Sequence, residues 1–174
     1  MKKSIILIIP VLISLFFSSC KSKEIPVLLG NWKADVTLKS ELAGNESASD
    51  SPVAYLYTKQ KIDLAFSEGG CYTKKVAQNV EKIEFVKDGG NETEAMEYFS
   101  QFFNKNLVFD GEYQQLNGNL CFTVDRVQQN DGASLPYSEA FEKDPSIGDD
   151  QIDEPYEVKD GELFIGGVKY KKAD

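Results

Sequence analysis

The pattern that most constrains this chain is a repeated alternation of apolar and polar residues. Within residues 29–39, the apolar side chains from Trp32 onward all fall at even-numbered positions, with the polar ones between them. Successive side chains of a β-strand point to opposite faces, so this two-residue period predicts a strand with one buried and one solvated face. The apolar face of this first strand consists of Trp32, Ala34, Val36 and Leu38.

The same alternation returns along the chain, separated by turn sequences. Glycine pairs and Asn-Gly or Asp-Gly steps favour the backbone conformations of tight hairpins, so most neighbouring strands are predicted to pair directly. A loop is expected over residues 40–52, and a second, very acidic loop over 128–154. The predicted strands after the first cover residues 53–66, 71–80, 82–87, 107–109, 112–116, 120–127, 156–159 and 163–171.

One segment has helical periodicity instead. Asn91 is typical of a helix N-cap, and Glu94 stands three residues later as in a capping box. The apolar residues then recur at steps of three and four, which predicts one amphipathic helix over residues 92–104. We expect its apolar face to pack on the sheet, although an exposed Phe99, Phe102 and Phe103 could also bind a partner. This face consists of Ala95, Met96, Phe99, Phe102 and Phe103.

Seven to nine short strands and one helix indicate a mainly β fold. The chain has 174 residues, of which 41% are hydrophobic, and residues 29–174 are enough for one core. Antiparallel strands with a single buried face avoid exposed edges by closing into a barrel. We therefore expect a small up-and-down barrel of about eight strands with one mid-chain helix.

The N-terminus has the features of an export signal. Lys2 and Lys3 precede an apolar run over residues 4–17, which is shorter than the roughly 20 residues of a membrane span. The sequence Phe17-Ser18-Ser19-Cys20 resembles the end of a bacterial lipoprotein signal peptide. The resemblance implies removal of residues 1–19, acylation of Cys20, a tether over 20–28 and attachment to a membrane of the cell envelope. It does not distinguish the inner from the outer membrane.

The predicted barrel resembles the lipocalins. Gly30-Asn31-Trp32 matches their Gly-x-Trp motif at the start of the first strand. The resemblance implies that Trp32 plugs one end of the barrel, with a basic side chain packed on it, for which Arg126 and Lys169 are the candidates. It also implies a barrel that holds one small apolar ligand or lipid.

Aromatic residues of the predicted strands are the candidates for lining such a cavity. A barrel of eight strands is either filled by side chains or encloses one small ligand, and the sequence leaves both open. If the barrel is filled, the protein would act as an envelope assembly factor that binds another protein, as an inhibitor or as a surface antigen, rather than bind a small molecule. The candidate lining residues are Tyr55, Tyr57, Phe66, Tyr72 and Phe122.

Two cysteines remain after Cys20, and their state is left open. Export permits a disulfide between Cys71 and Cys121, but pairing requires Cα atoms within about 7 Å, and free thiols are the alternative. The acidic residues of the second loop could offer oxygen ligands to calcium, but they lack the spacing of a known calcium loop, so we expect a solvated loop and no metal. These acids are Asp144, Asp149, Asp150, Asp153 and Glu154.

Composition excludes several functions. The chain contains no histidine, which removes imidazole-based catalysis and imidazole metal sites. A net charge of −9 disfavours nucleic acid as a partner. No phosphate-binding loop, nucleophile elbow or cofactor motif is present. We therefore expect a binding protein without a cofactor, and not an enzyme; a third reading, catalysis by carboxylates alone, would require two buried acids facing one cleft.

Overall fold

Nine strands and two α-helices make up the described part of the chain. The computed structural model describes residues 28–42, 53–86 and 90–173. The helices are α1 (Glu92–Phe103) and α2 (Tyr137–Lys143), and a short 3-10 helix (Pro145–Ile147) follows α2. The strands are β1 (Gly30–Glu41), β2 (Val53–Phe66), β3 (Cys71–Phe85), β4 (Lys105–Leu116), β5 (Asn119–Gln129), β6 (Leu135–Pro136), β7 (Gln151–Lys159), β8 (Glu162–Ile165) and β9 (Val168–Lys172).

Eight of these strands close into an antiparallel barrel. Strands β1 to β5, then β7, β8 and β9, each pair with the next, and β9 returns to β1 through Trp32 and Lys33. Strand β6 is an addition that pairs with the far end of β5. The expected up-and-down, lipocalin-like barrel is therefore confirmed.

Several details of the sequence-based prediction are wrong. The strands expected at 71–80 and 82–87 form one strand, β3, in which Glu81 is an extra residue between the pairs Thr58–Val80 and Tyr57–Lys82. The strands expected at 107–109 and 112–116 are likewise the single strand β4. The last predicted strand is split into β8 and β9 by a turn at Gly166-Gly167, where both residues have positive φ.

The expected loop at 128–154 contains regular structure. It includes β6, α2, the 3-10 helix and the first residues of β7, so the helix at α1 is not the only one. Val127 on β5, Leu135 on β6 and Ala140 on α2 pack together, and this small cluster orders the segment. Its apolar residues are too widely spaced for a periodic pattern, which is why the sequence did not predict it.

The main core fills the end of the barrel that contains Trp32. This side chain is 3% exposed, and its indole N–H donates to the Leu28 carbonyl at 2.8 Å, which fastens the chain entering β1. Phe66 packs beside it in the same cluster, 4.6 Å from the ring of Tyr113. The Nζ of Lys172 lies 5.7 Å from the centre of the Trp32 ring. The basic residue on the tryptophan is thus Lys172, and neither Arg126 nor Lys169.

Helix α1 covers the opposite end. Strands β1, β2 and β3 are much longer than β8 and β9 and extend beyond them. Ala95 and Phe99 of α1 pack on Leu56, Val80 and other buried residues of this extension. The barrel is therefore a cup whose wall is high and long at β1–β3 and low at β8–β9. It is plugged at the Trp32 end, and α1 covers the extension of the high wall at the other end.

Candidate functional site

A cavity of about 290 Å³ lies inside the barrel, between the Trp32 end and helix α1. Most of its wall is apolar, as expected for the inner faces of alternating strands. Four of its residues carry charge or an amide: Gln60, Lys74, Asp149 and Glu154. The apolar and aromatic part of the wall consists of Val36, Leu38, Ile62, Leu64, Tyr72, Phe109, Phe122, Val124, Ile147, Ile152, Ile165, Val168 and Tyr170.

A polar layer separates the cavity from the core beneath α1. Gln60 of β2 and Gln78 of β3 are opposite each other in the sheet, and their amide groups are hydrogen-bonded at 2.6 Å. Gln78 also donates to the carbonyl of Phe103, at the end of α1, at 3.0 Å. The second bond attaches the end of α1 to β3, and both bonds satisfy polar groups that are partly buried.

The low wall gives the cavity a lateral boundary with solvent. In the described chain, β1 pairs with β9 only at Trp32 and Lys33, and beyond this point it pairs with β2 alone. Leu38 lies on this part of β1, which has no partner on the β9 side. It lines the cavity and is 42% exposed. Gly166 and Val168, at the β8–β9 turn, line the cavity from the other side. The cavity therefore borders solvent where β1 extends past the short hairpin.

Lys74 places an ammonium group inside this apolar wall. Lys74 is paired with Leu64 of β2 and with Phe109 of β4. Directly paired residues share one face of a sheet, so its side chain points into the barrel as theirs do. Burial lowers the pKa of Lys74 below 10.5, and the charge of Glu154 acts in the opposite direction. Among the ion pairs and hydrogen bonds of the described residues, none includes Lys74.

Glu154 brings the opposite charge from β7. It is paired with the fully buried Leu120, so it too points inward. Its carboxylate lies against Gly166: a Cβ at that position would stand 2.5 Å from Oε2 of Glu154. Burial, with the Glu154 charge as a smaller cause, raises the pKa of Tyr170 to about 12, so this phenol remains a proton donor at neutral pH.

Residues 144–149, which follow α2, close part of the cavity opening, called the mouth below. Ile147 and Asp149 both line the cavity, and Asp149 is exposed to solvent. Asp144 fixes this segment, because it accepts from the Ser146 backbone N–H at 3.0 Å and forms an ion pair with Lys105 at 3.5 Å. Hydrogen bonds from Ser146, followed by the Lys105 charge, lower the pKa of Asp144.

The structure separates the aromatic residues predicted to line a cavity. Tyr72 and Phe122 line it, and their rings pack edge to face at 4.9 Å. Phe66 is buried below it, in the plugged end. Tyr55 and Tyr57 alternate out of phase with the inner residues of β2 and are not among the lining residues. Instead, Lys39 covers both rings, with its Nζ 3.7 Å from the centre of the Tyr55 ring.

The two remaining cysteines are free thiols. Cys71 is on β3, opposite Glu112, and Cys121 is on β5, opposite Gln114, so strand β4 lies between them. Strands in a sheet are about 4.8 Å apart, and two such spacings exceed the roughly 7 Å over which a disulfide can form. Pairing of Cys71 with Cys121 is therefore excluded by the sheet order. The thiol of Cys121 contacts Asp153 instead, at 3.4 Å.

The acidic residues of the loop predicted over 128–154 do not come together at one site. Asp153 points outward on β7, Glu154 points inward, and Asp144 is engaged with Lys105 and Ser146. Within the described residues there is no group of three or more acids, cysteines or histidines placed to hold a metal ion. Asp149, Asp150 and Asp153 are thus exposed to solvent, as expected, whereas Asp144 is held by Lys105 and Glu154 lines the cavity.

The sequence analysis did not single out Lys74, and it placed Glu154 in a solvated loop, although a signal for an inward position was present in both strands. Tyr72, Lys74 and Val76 alternate on one face, and so do Ile152, Glu154 and Tyr156. In both strands a charged residue occupies a position that the period assigns to the interior. Such a position indicates either a register error or a polar site inside the fold.

Comparison of the sequence with models of known protein families and with curated proteins gives no significant match. In the described part of the chain, neither helix has the length and apolar character needed to cross a membrane. Cys20 and the N-terminal segment fall outside the described residues.

Proposed function

We propose that this protein is a lipid-anchored lipoprotein of the bacterial cell envelope that binds a small, mainly apolar ligand inside its barrel. The observation that carries the proposal is the cavity of about 290 Å³ between the plugged end and α1. A barrel serving only as a structural or interaction module would be filled by side chains. This volume is at the lower end of the roughly 300–1,000 Å³ typical of small-molecule sites, so the ligand is small.

The membrane anchor in this proposal rests on the sequence alone. The Ser18-Ser19-Cys20 motif supports acylation of Cys20, and several acyl chains on one residue would hold the protein durably at a bilayer. The barrel would then stand beside the membrane surface on a short tether.

Exposed aromatic residues on α1 favour a second candidate function, the binding of an envelope protein. Phe102 was expected to pack on the barrel with Phe99 and Phe103, but it is 59% exposed. Its ring is tilted against that of the exposed Tyr98, with the ring centres 5.2 Å apart. Large exposed aromatic side chains are typical of interaction sites. A carboxylate enzyme is less well supported, because Asp149 and Glu154 border the cavity but Asp149 is exposed rather than buried.

Native mass spectrometry of the mature protein, purified gently from its own host, tests the proposal. We expect a defined additional mass that disappears on denaturation, and extraction would then identify the ligand. Substitution of Ile62 by Trp, which would fill the cavity from β2, should abolish the additional mass. Substitution of the outward-facing Lys61 by Trp is the matched control and should retain it.

Two outcomes would contradict the proposal. A bare protein that takes up nothing from a lipid extract of its host would reject the small ligand and favour the interaction module. An additional mass that persists in the Ile62→Trp variant would place the ligand outside the barrel.

A further inference from the structure

Lys74 and Glu154 present a donor and an acceptor to the same enclosed space. Lys74 enters the cavity from β3, and Glu154 enters from β7, on a different part of the barrel wall. They influence each other electrostatically, yet no ion pair or hydrogen bond joins them. The free ammonium has three N–H groups to donate, and the carboxylate has lone pairs to accept.

This arrangement selects among polar groups on a ligand. An anionic group would be attracted by Lys74 but repelled by Glu154, and Asp149 at the mouth adds a second repulsion. A cationic group would be attracted by Glu154 but repelled by Lys74. A neutral group that both accepts and donates hydrogen bonds can satisfy the two charges at once, without introducing an uncompensated charge into an apolar wall.

Local structure keeps the two charged groups in place. Gly166 leaves room for the Glu154 carboxylate, since any Cβ there would collide with it. Leu64 and Phe109 flank Lys74 in the sheet and exclude competing partners from its stem. The polar pair is thus part of the barrel wall and does not depend on a mobile surface side chain.

We infer that the barrel ligand is an apolar molecule that carries one neutral hydroxyl or amide group, which accepts a hydrogen bond from Lys74 and donates one to Glu154. This inference rests on the proposed binding function and narrows its ligand class. A hydrophobic cavity without the pair would distinguish ligands mainly by size, whereas this one should also discriminate by charge.

Calorimetric titration of the full-length chain with four eight-carbon compounds tests the inference. The chain is held in a non-ionic amphipol, and the compounds are 1-octanol, octanamide, octanoate and octylamine. Titration of each compound into amphipol without protein measures its partition, which is subtracted. Both the ranking of the compounds on the wild type and the ratio of variant to wild-type affinity are then informative. In the wild type we expect 1-octanol and octanamide to bind more tightly than either charged compound.

Each single substitution should change the preference in its own direction. Glu154→Gln removes the repulsion and should improve octanoate binding by about tenfold, which corresponds to about 1.4 kcal/mol. Lys74→Met should improve octylamine binding by a similar factor and weaken octanoate binding further. Lys75→Met and Asp153→Asn, on the outer face next to each position, are the matched controls and should change no ratio.

The outcomes separate this inference from the function it rests on. If none of the four compounds binds the wild type, the small-ligand function fails and the inference fails with it. If they bind but their ranking is the same in the wild type and both inner variants, the inference alone is overturned. Strongest binding of octanoate to the wild type would also overturn it. If Glu154→Gln does not fold, the octylamine result with Lys74→Met decides.

Discussion

At the scale of single residues, Gly111 shows how closely the barrel backbone is packed. It lies in β4 at an irregularity of the pairing with β5, where Asp125 is the extra residue. A Cβ at Gly111 would stand 1.9 Å from the carbonyl oxygen of Thr123, a backbone atom that cannot move independently. The irregularity thus requires glycine for space, and not for an unusual backbone angle.

We therefore predict that Gly111→Ala destabilises the barrel by about 3 kcal/mol, because the added methyl group forces the β4–β5 ladder apart. Urea denaturation followed by the fluorescence of Trp32, the only tryptophan, measures this. Glu112→Ala, at the adjacent exposed position, is the control and should change stability by less than about 0.5 kcal/mol. Equal stability of the two variants would show that the pairing irregularity is absent.

Lys74 affects stability as well as binding. Its pKa is lowered in the folded protein, so between that pKa and 10.5 the folded state binds fewer protons than the unfolded state. The contribution of Lys74 to stability therefore rises as the pH increases through this range. Replacing the charge by an apolar group of similar length removes its desolvation cost.

We predict that Lys74→Met raises the free energy of unfolding at pH 7 by about 1 kcal/mol. The difference from the wild type should shrink as the pH rises toward 10, because Lys74 loses its proton at a lower pH in the folded state than in the unfolded state. Urea denaturation at pH 7 and pH 10 tests both points, with the outward-facing Lys75→Met as the control. A difference that stays constant with pH would mean that Lys74 is solvated in the folded protein.

At the scale of elements, α1 is attached to the long wall by one face only. Phe99 is 5% exposed and packs on the extension of β2 and β3, whereas Phe102 on the same helix is exposed. Asn91 caps the helix by accepting from the Glu94 N–H, and Asn104 at its other end accepts from the Val80 N–H at 2.7 Å. One face and the Asn104 end thus fix the helix over the cup, while the Asn91 cap stabilises its first turn.

We predict that Phe99→Ala costs about 3 kcal/mol, because it removes a buried ring and leaves a cavity under the helix. Phe102→Ala, one turn away, should be close to neutral. Thermal denaturation distinguishes the pair, and amide hydrogen exchange should show faster exchange in α1 for Phe99→Ala alone. A large loss with Phe102→Ala would show that its exposed face is covered in the native protein.

The elements also show what the sequence could predict. Hairpins such as β2–β3 were predicted closely, because local turn chemistry and alternation specify them. The continuous course of β3 was not, because the extra residue Glu81 interrupts the alternation and is recognisable only against the partner strand. The continuous course of β4 was also missed, because Asp110-Gly111 has the sequence of a turn but lies within the strand. The outward direction of Tyr55 and Tyr57 was available from their phase relative to Leu64. The segment around α2 was missed, because its order comes from tertiary packing.

At the scale of the whole molecule, the cavity follows from unequal strand lengths. Strands β1–β3 have 12 to 15 residues, while β8 and β9 have four and five. The inner side chains of the long strands therefore have no opposing strand above the short hairpin, and the core cannot close there. This result depends on which residues pair across the barrel, so the cavity could not be read from any single strand.

The net charge of −9 makes electrostatic attachment of the whole protein to anionic lipids unfavourable, so attachment to a membrane would require acylation of Cys20. We predict that the intact mass of the mature wild type lacks residues 1–19 and includes acyl groups. Cys20→Ser should retain residues 1–19 and carry no acyl mass, since a hydroxyl cannot replace the thiolate nucleophile. Cys71→Ser and Cys121→Ser are the matched controls and should mature like the wild type. A wild-type protein with an unmodified N-terminus would contradict the proposed membrane anchor.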